Sequence, residues 1–161
     1  MTIHLGTDHA GFELKEKVKL FLIEKGYEIV DHGALTLVPG DDYPDFIRPA
    51  AEAVAEDPMS RGIIFGGSGQ GEALCANRIK GARAVVFYGP RAPIVAADAT
   101  GRISDDSFEI VRLSRLHGDS NILSFGARFV TDDEAKKALE VWLEALFEGG
   151  RHQQRLDKID R

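Results

Sequence analysis

Short apolar runs alternate along the chain with longer segments of helical periodicity. The runs predict five strands, at 3–6, 27–31, 63–65, 82–87 and 122–125. The longer segments predict helices at 12–25, from the turn at 43–46 to about 55, and at 132–147, where Asp132 and Asp133 are well placed as caps. This alternation predicts an α/β fold of three layers, with a five-stranded parallel sheet covered on both faces. Ligands of such sheets bind at the carboxyl ends of the strands, so the turns after the first, third and fifth strands are expected to converge.

Two segments exceed what a simple strand–helix repeat needs. The connection 88–116 is long, and its break at Thr100-Gly101-Arg102 predicts two helices, roughly at 92–99 and 105–116. The tail 148–161 is polar, with basic residues four apart on one helical face, and is predicted as a tail helix that packs on a second subunit. A frayed, solvated C-terminus is the alternative. All of 1–161 is expected to form a single domain.

A glycine-rich loop with an acidic exit follows the third strand. Four glycines at 66, 67, 69 and 71 surround Ser68 and Gln70, and a helix-forming run opens at Glu72. Glycines let backbone N–H groups approach a ligand closely, and a helix start adds unpaired donors. The loop has neither the Gly-Lys-Ser/Thr ending of a P-loop nor the G-x-G-x-x-G spacing, which disfavours NTP hydrolysis and dinucleotide binding.

The position of Glu72 suggests chemistry for this loop. The helix dipole is expected to keep the carboxylate ionised. A carboxylate beside N–H donors suits the abstraction of a proton next to a carbonyl, with the donors holding the enediolate oxygen. Alternatively, Glu72 only caps its helix and the glycines form a tight turn, and the loop alone does not decide between the two interpretations.

Composition excludes several classes of function. The net charge of −6 argues against general nucleic-acid binding. The single cysteine, Cys75, permits no internal disulfide and fits a reducing compartment such as the cytoplasm. The N-terminus lacks the pattern of a signal peptide, and no apolar run approaches the length of a membrane span. The histidines show no H-x-x-x-H pairing and Cys75 has no cysteine partner, so a structural metal site is not expected. No cofactor is expected either.

Five motifs spread over nearly the whole chain carry a family resemblance. They are Gly6-Thr7-Asp8-His9-Ala10-Gly11-Phe12-Glu13-Leu14-Lys15, Asp42-Tyr43-Pro44, residues 66–72 with Ala76-Asn77, His117 with Asp119, and 149–155. In this order and spacing, the chain resembles the family of ribose-5-phosphate isomerase B and the galactose-6-phosphate isomerase subunits.

The resemblance implies a Rossmann-like α/β/α fold and a homodimer or dimer of dimers with active sites at the subunit interface. It implies metal-free interconversion of ribose 5-phosphate and ribulose 5-phosphate through a cis-enediolate. One branch of the family has a cysteine as base where this chain has Gly66. The other has a glutamate at the position of Glu72, so Glu72 is implied as the base, and Cys75 is interpreted as a small core residue.

The resemblance also implies roles for other side chains. Asp8 is expected close to the ring oxygen, and His117 is expected to help open the furanose ring. The remaining implied ligands of the sugar or its phosphate are Ser68, His9, Tyr43, Asn77, the backbone donors Gly67, Gly69 and Gly71, and Arg128, Arg151 and Arg155, the tail arginines coming from the neighbouring subunit.

Several of these residues have structural alternatives. Asp8 could cap a helix, His9 could be a packed turn residue and Tyr43 could be a core aromatic. Arg128 could be a surface charge. His152 is left as structural or phosphate-proximal.

Two departures from the family pattern leave the substrate open. The family has asparagine where this chain has Gly118, and its connection before His117 lacks the excess at 91–111. The same chemistry on a tetrose or hexose phosphate is therefore an alternative. A catalytically silent sugar-phosphate-binding protein is another.

Overall fold

The computed structural model describes residues 1–159, and its elements alternate in the predicted order. They are β1 (Thr2–Thr7), α1 (Phe12–Glu24), β2 (Glu28–Asp31), α2 (Pro44–Glu56), β3 (Arg61–Gly66), α3 (Gln70–Ala76), β4 (Ala84–Phe87), α4 (Glu109–Gly118), β5 (Ile122–Gly126), α5 (Asp132–Glu144) and α6 (Arg151–Ile159). All five strands are parallel, in the order β2-β1-β3-β5-β4. The predicted Rossmann-like three-layer fold is therefore confirmed.

The core has two parts because successive residues of a strand point to opposite faces of the sheet. Ile63 and Phe65 of β3 pack with α1, α4 and α5, in a cluster that contains the fully buried Trp142. Ile64 packs on the other face with α2 and α3, and Cys75 lies half-buried at the edge of that second cluster.

The strand order creates a crevice beside β1 and β3. The helix after β1, α1, packs on one face of the sheet, whereas the helix after β3, α3, packs on the other. The two connections therefore diverge at the carboxyl ends of neighbouring strands, which is where ligands bind in open α/β sheets.

The predicted helix at 92–99 is wrong, and the second helix of that connection begins at Glu109 rather than at 105. Asp98 accepts hydrogen bonds from the backbone N–H and hydroxyl of Thr100, and the N–H of Ala97 donates to the carbonyl of Arg102 at 2.7 Å, so local turns replace the helical hydrogen bonds. An ion pair from Arg102 to Glu109 ties this loop to α4.

One further detail differs from the sequence-based expectations. Thr131, not Asp132 or Asp133, caps α5, in a reciprocal capping box with Glu134. The predicted tail helix is present as α6, which buries His152 and Leu156 against its own chain, and its packing on a second subunit stays a prediction. None of the helices described over 1–159 is long and apolar enough to cross a membrane.

Candidate active site

The glycine loop is bound to the end of β5. The hydroxyl of Ser124 donates to the carbonyl of Gly69 at 2.7 Å, and the backbone N–H of Ala127 donates to the carbonyl of Gly66 at 2.8 Å. Gly69 has φ of 73°, and a Cβ there would lie 3.0 Å from the backbone of Gly126. Only glycine satisfies both requirements at position 69, so the path of the loop depends on it.

The carboxylate of Glu72 lies against the backbone of Gly66, the first glycine of this loop. Its side chain is 5% exposed, and a Cβ built on Gly66 would lie 1.9 Å from its Oε1. The carboxylate thus occupies the volume that a side chain at position 66 would need. A chain with this backbone can carry a side chain at 66 or the carboxylate of Glu72 in this place, but not both.

Burial raises the pKa of Glu72, and the nearby charge of Asp8 raises it further, against a hydrogen bond from its own backbone N–H. We expected the helix dipole to favour the ionised form, but α3 has only seven residues and burial outweighs its dipole. A carboxylate with a raised pKa is a stronger proton acceptor.

Asp8 and His9 follow β1 at the crevice. The buried Asp8 accepts a hydrogen bond from the backbone N–H of Ala10 at 2.9 Å and makes no cap to α1. The Nδ1 of His9 lies 2.7 Å from Oδ1 of Asp41, and the same oxygen accepts the backbone N–H of His9 at 2.8 Å. This hydrogen bond raises the pKa of His9 above the ordinary histidine value.

Tyr43 and Arg128 lie against the glycines of the loop. A Cβ at Gly71 would lie 2.9 Å from Cζ of Tyr43, and one at Gly67 would lie 3.0 Å from Cζ of Arg128. Tyr43 also packs on the core beside α2 and α3, as its structural alternative expected. Ser68 is exposed at the top of the loop. These residues, with Asp8, His9 and Glu72, form what we term the loop cluster.

Asn77 lies outside the loop cluster. Its side-chain Nδ2 donates to the carbonyl of Ala84 at 2.9 Å, and its Oδ1 accepts a hydrogen bond from the backbone N–H of Ala84 at 2.7 Å. These two bonds hold the end of α3 against β4, which is a structural use of the amide and does not support its expected role as a substrate ligand.

His117 belongs to a second group at the end of α4. Its ring stacks on that of His152, with centroids 4.2 Å apart and planes 5° apart. The Nε2 atoms of both rings lie 3.7 Å from Oε2 of Glu148. Burial and the charges of His117, Arg151 and Arg155 lower the pKa of His152. We term His117, Glu148 and His152, with the exposed Arg151 and Arg155, the histidine cluster.

Two sets of side chains bring three possible metal-ligand atoms within 4.8 Å of one another. They are His117 with Glu148 and His152, and Asp8 with His9 and Asp41. In the first set the imidazole rings are parallel, so their lone pairs do not converge on one point. In the second set His9 Nδ1 and Asp41 Oδ1 already bond each other. Neither arrangement over 1–159 is suited to a metal ion as it stands.

The two clusters lie at opposite ends of β5. The glycine loop contacts the carboxyl end of β5, whereas His117 lies just before its amino end. A strand of five residues is about 16 Å long. The turns after β1, β3 and β5 do converge, as expected, but one chain does not bring His117 and the tail arginines to Glu72.

Asp41 contacts the loop cluster through His9 and Glu148 belongs to the histidine cluster, but neither is among the site residues expected from the sequence. Asp41 lies in a loop 32 residues beyond His9, and only the path of that loop across the end of β1 brings the two together. The Pro39-Gly40-Asp41-Asp42 stretch indicates a turn, but it carries no signal for a partner.

The chain matches a known protein family over nearly its whole length. The family model described as Ribose/Galactose Isomerase matches residues 3–99 and 103–159. Ribose-5-phosphate isomerase B of Escherichia coli is 38% identical over 98% of this chain and 93% of that protein. The Mycobacterium tuberculosis protein of the same name is 34% identical over 98% of this chain and 86% of that protein.

Solved structures agree with the sequence relatives. Ribose-5-phosphate isomerase B of Clostridium thermocellum superposes with a TM-score of 0.85 at 38% identity, covering 99% of this chain and 95% of that one. The Mycoplasma genitalium enzyme, solved with bound ribulose-5-phosphate, also gives 0.85, at 34% identity over 99% and 94% of the two chains.

Proposed function

The chain belongs to the ribose/galactose isomerase family and is therefore an isomerase, and we propose that it interconverts ribose 5-phosphate and ribulose 5-phosphate with Glu72 as the base. The observation that carries this proposal is the buried Glu72 carboxylate, which lies against Gly66 at the crevice between diverging connections. Burial raises the pKa of this carboxyl, and a cis-enediolate reaction requires such a proton acceptor beside N–H donors.

The reaction divides between the two clusters. After ring opening, Glu72 removes the proton from C2 of the aldose, and the resulting carboxylic acid, whose proton exchanges in part with solvent, protonates C1 to give the ketose. The C2 hydroxyl loses its proton as it becomes the carbonyl, and the oxygen on C1 gains one. The backbone N–H groups of Gly67, Gly69 and Gly71 are the proposed donors that hold the charged enediolate oxygen.

We propose that His117 catalyses opening of the furanose ring of the substrate and that Asp8 lies near the ring oxygen. An imidazole can take a proton from the C1 hydroxyl and supply one to the ring oxygen near neutral pH. His9, Tyr43 and Ser68 are proposed as ligands of the sugar phosphate. Arg128 and the two tail arginines are proposed as ligands of its phosphate, which guanidinium groups recognise well.

A complete site requires a second copy of the chain. Because the histidine cluster and Glu72 lie at opposite ends of β5, we propose that His117, Arg151 and Arg155 of one copy complete the loop cluster of another. The exposure of both tail arginines on α6 supports this arrangement, because neither is consumed by an ion pair among residues 1–159.

The relative solved with bound ribulose-5-phosphate supports a five-carbon substrate. Gly118 leaves a different sugar open, because the family has an asparagine side chain at this position. A Cβ at Gly118 would meet no atom within 4 Å, so the space of a missing side chain is open. We expect ribose 5-phosphate to exceed four- and six-carbon aldose phosphates in kcat/KM by about tenfold or more, which is the effect of one mismatched methylene group.

Steady-state rates on the three phosphates decide between these substrates. A higher kcat/KM for the tetrose or hexose phosphate would assign the other sugar while keeping the chemistry. Binding of all three without turnover would support a silent binding protein.

Gly66→Ala tests whether Glu72 acts from its present position. A new Cβ would overlap the carboxylate, whose Oε1 and Cδ lie 1.9 and 2.0 Å away, so the flexible glutamate side chain must move. We expect kcat to fall by about 10²-fold or more, because a displacement of about 1 Å suffices for such a loss.

Thermal stability separates displacement from misfolding in this variant. Gly118→Ala, where a Cβ meets nothing within 4 Å, gives the baseline for replacing a glycine by alanine. Gly66→Ala should melt within a few degrees of that baseline. A Gly66→Ala enzyme with nearly normal kcat would show that the carboxylate does not act from beneath position 66.

A further inference from the structure

Asp41 holds His9 through two hydrogen bonds to a single oxygen. Its Oδ1 accepts the backbone N–H of His9 at 2.8 Å and lies 2.7 Å from Nδ1 of the ring. A carboxylate oxygen can only accept, so Nδ1 must carry the proton. The main chain and the ring of His9 are thereby both fixed, and the other ring nitrogen, Nε2, points away from Asp41.

The second oxygen of Asp41, Oδ2, is left without a hydrogen-bond donor among residues 1–159. This oxygen is also buried from solvent. Burying a carboxylate oxygen without a donor is costly, and the charge of an adjacent imidazolium offsets that cost better than a neutral ring does.

The free side of the His9 ring faces solvent and a cavity. The side chain is 36% exposed, and it lines a cavity of about 320 Å³ together with Glu13, Lys17 and Asp132. Lys17 and Asp132 pair with each other at 2.8 Å. The charged groups that face His9 are therefore Asp41, Asp8, Glu13 and the Lys17–Asp132 pair, and Nε2 has no protein partner among the described residues.

We propose that Asp41 is a positioning residue that keeps His9 doubly protonated and aims its Nε2–H at an anionic oxygen of the substrate. This inference rests on the proposed function for the identity of that substrate. Asp41 touches neither the sugar nor Glu72 in this role. It acts through His9, by fixing the ring and by stabilising the charge that the ring presents.

The charge on His9 gives this proposal a definite pH dependence. The Asp41 hydrogen bond raises the pKa of His9, and the charge of Asp8 acts in the same direction. The imidazolium therefore persists to a higher pH than in an ordinary histidine, and substrate binding should weaken as the pH rises through the raised value. Below the ordinary histidine value, His9 is charged with or without Asp41.

The test is a histidine NMR titration of the whole protein without substrate, compared with Asp41→Asn. The His9 signal, assigned by its loss in His9→Gln, should titrate above those of His4 and His32, whose pKa values burial lowers. Asp41→Asn keeps an oxygen acceptor but removes the charge, so the His9 titration should move to lower pH. Asp45→Asn, an equal charge change at an exposed position four residues on, should not move it.

The kinetic counterpart separates positioning from catalysis. In Asp41→Asn, KM for ribose 5-phosphate near pH 8 should rise about tenfold, the effect of losing one hydrogen bond between charged groups. Near pH 5.5 the variant and the wild type should differ by less than about twofold in KM, and kcat should stay within about twofold throughout.

Two results would overturn the proposal. One is a wild-type His9 that titrates at or below the ordinary histidine value, which can be measured even if Asp41→Asn does not fold. The other is an Asp41→Asn protein whose His9 titration is unchanged. Because the titration is made without substrate, a failure of the isomerase proposal leaves it intact, and its own failure leaves Glu72 as the base.

Discussion

Replacing Glu72 by glutamine should lower kcat for ribose 5-phosphate by about 10³-fold, within the range expected for the loss of a general base. Glutamine has nearly the shape of glutamate and fits beneath Gly66, but its amide cannot take the proton from C2. Because the carboxylate is buried and its pKa is raised, a neutral side chain should also be tolerated there without loss of stability.

Binding and a matched control complete this test. Calorimetric titration with ribose 5-phosphate should give a Kd within about threefold of the wild-type value, because a base that acts only in the transition state contributes little to ground-state binding. Glu24→Gln, at an exposed position at the end of α1, should keep normal kcat. A Glu72→Gln enzyme with nearly normal turnover would assign the base elsewhere.

Mixing two inactive variants should restore activity if each site is built from two copies. Glu72→Gln retains His117, and His117→Ala retains Glu72. Random re-association of equal amounts would place both variants in about half of the dimers, and one of the two sites in each such dimer would be intact, which gives about one quarter of wild-type activity.

The reciprocal mixture is the control for subunit exchange. A chain that carries both substitutions should inactivate both sites of a wild-type partner, so an equal mixture should fall to about half of the wild-type activity added. If Glu72 and His117 of the same chain formed one site, the first mixture would recover nothing. The second would then lose nothing.

Much of this fold could be predicted from the chain because local pattern and tertiary packing agree. The strand at 63–65 is apolar throughout, as a strand covered on both faces must be, and the structure buries all three residues completely. The glycine loop could also be predicted. The positive φ and the close backbone approach at Gly69 require glycine, and the sequence shows glycine there.

The helix predicted at 92–99 in the connection 88–116 is absent because the local composition there favours a helix that other contacts override. Residues 92–99 contain four alanines among apolar neighbours, which indicates a helix, yet the Asp98 turn and the hydrogen bond from the N–H of Ala97 to the carbonyl of Arg102 stabilise an irregular path. The ion pairs that tie Arg102 to Asp98 and Glu109 depend on the fold and leave no periodic trace.

The partition of the site into two clusters could not be derived from motifs. The motifs that carry the family resemblance include both Glu72 and His117, but they do not reveal that the length of β5 separates the two residues. Likewise, the state of Glu72 depends on how deeply it is buried, which outweighs the helix start that the sequence reveals. The Asp41–His9 bond spans 32 residues and is set by loop geometry alone.

The most direct test of Glu72 as the isomerising base is proton exchange at carbon. Ribose 5-phosphate incubated with the wild-type protein in deuterated water should yield ribulose 5-phosphate with deuterium at C1, and Glu72→Gln should introduce about 10³-fold less over the same time. Undiminished deuterium incorporation at C1 by Glu72→Gln would contradict the account.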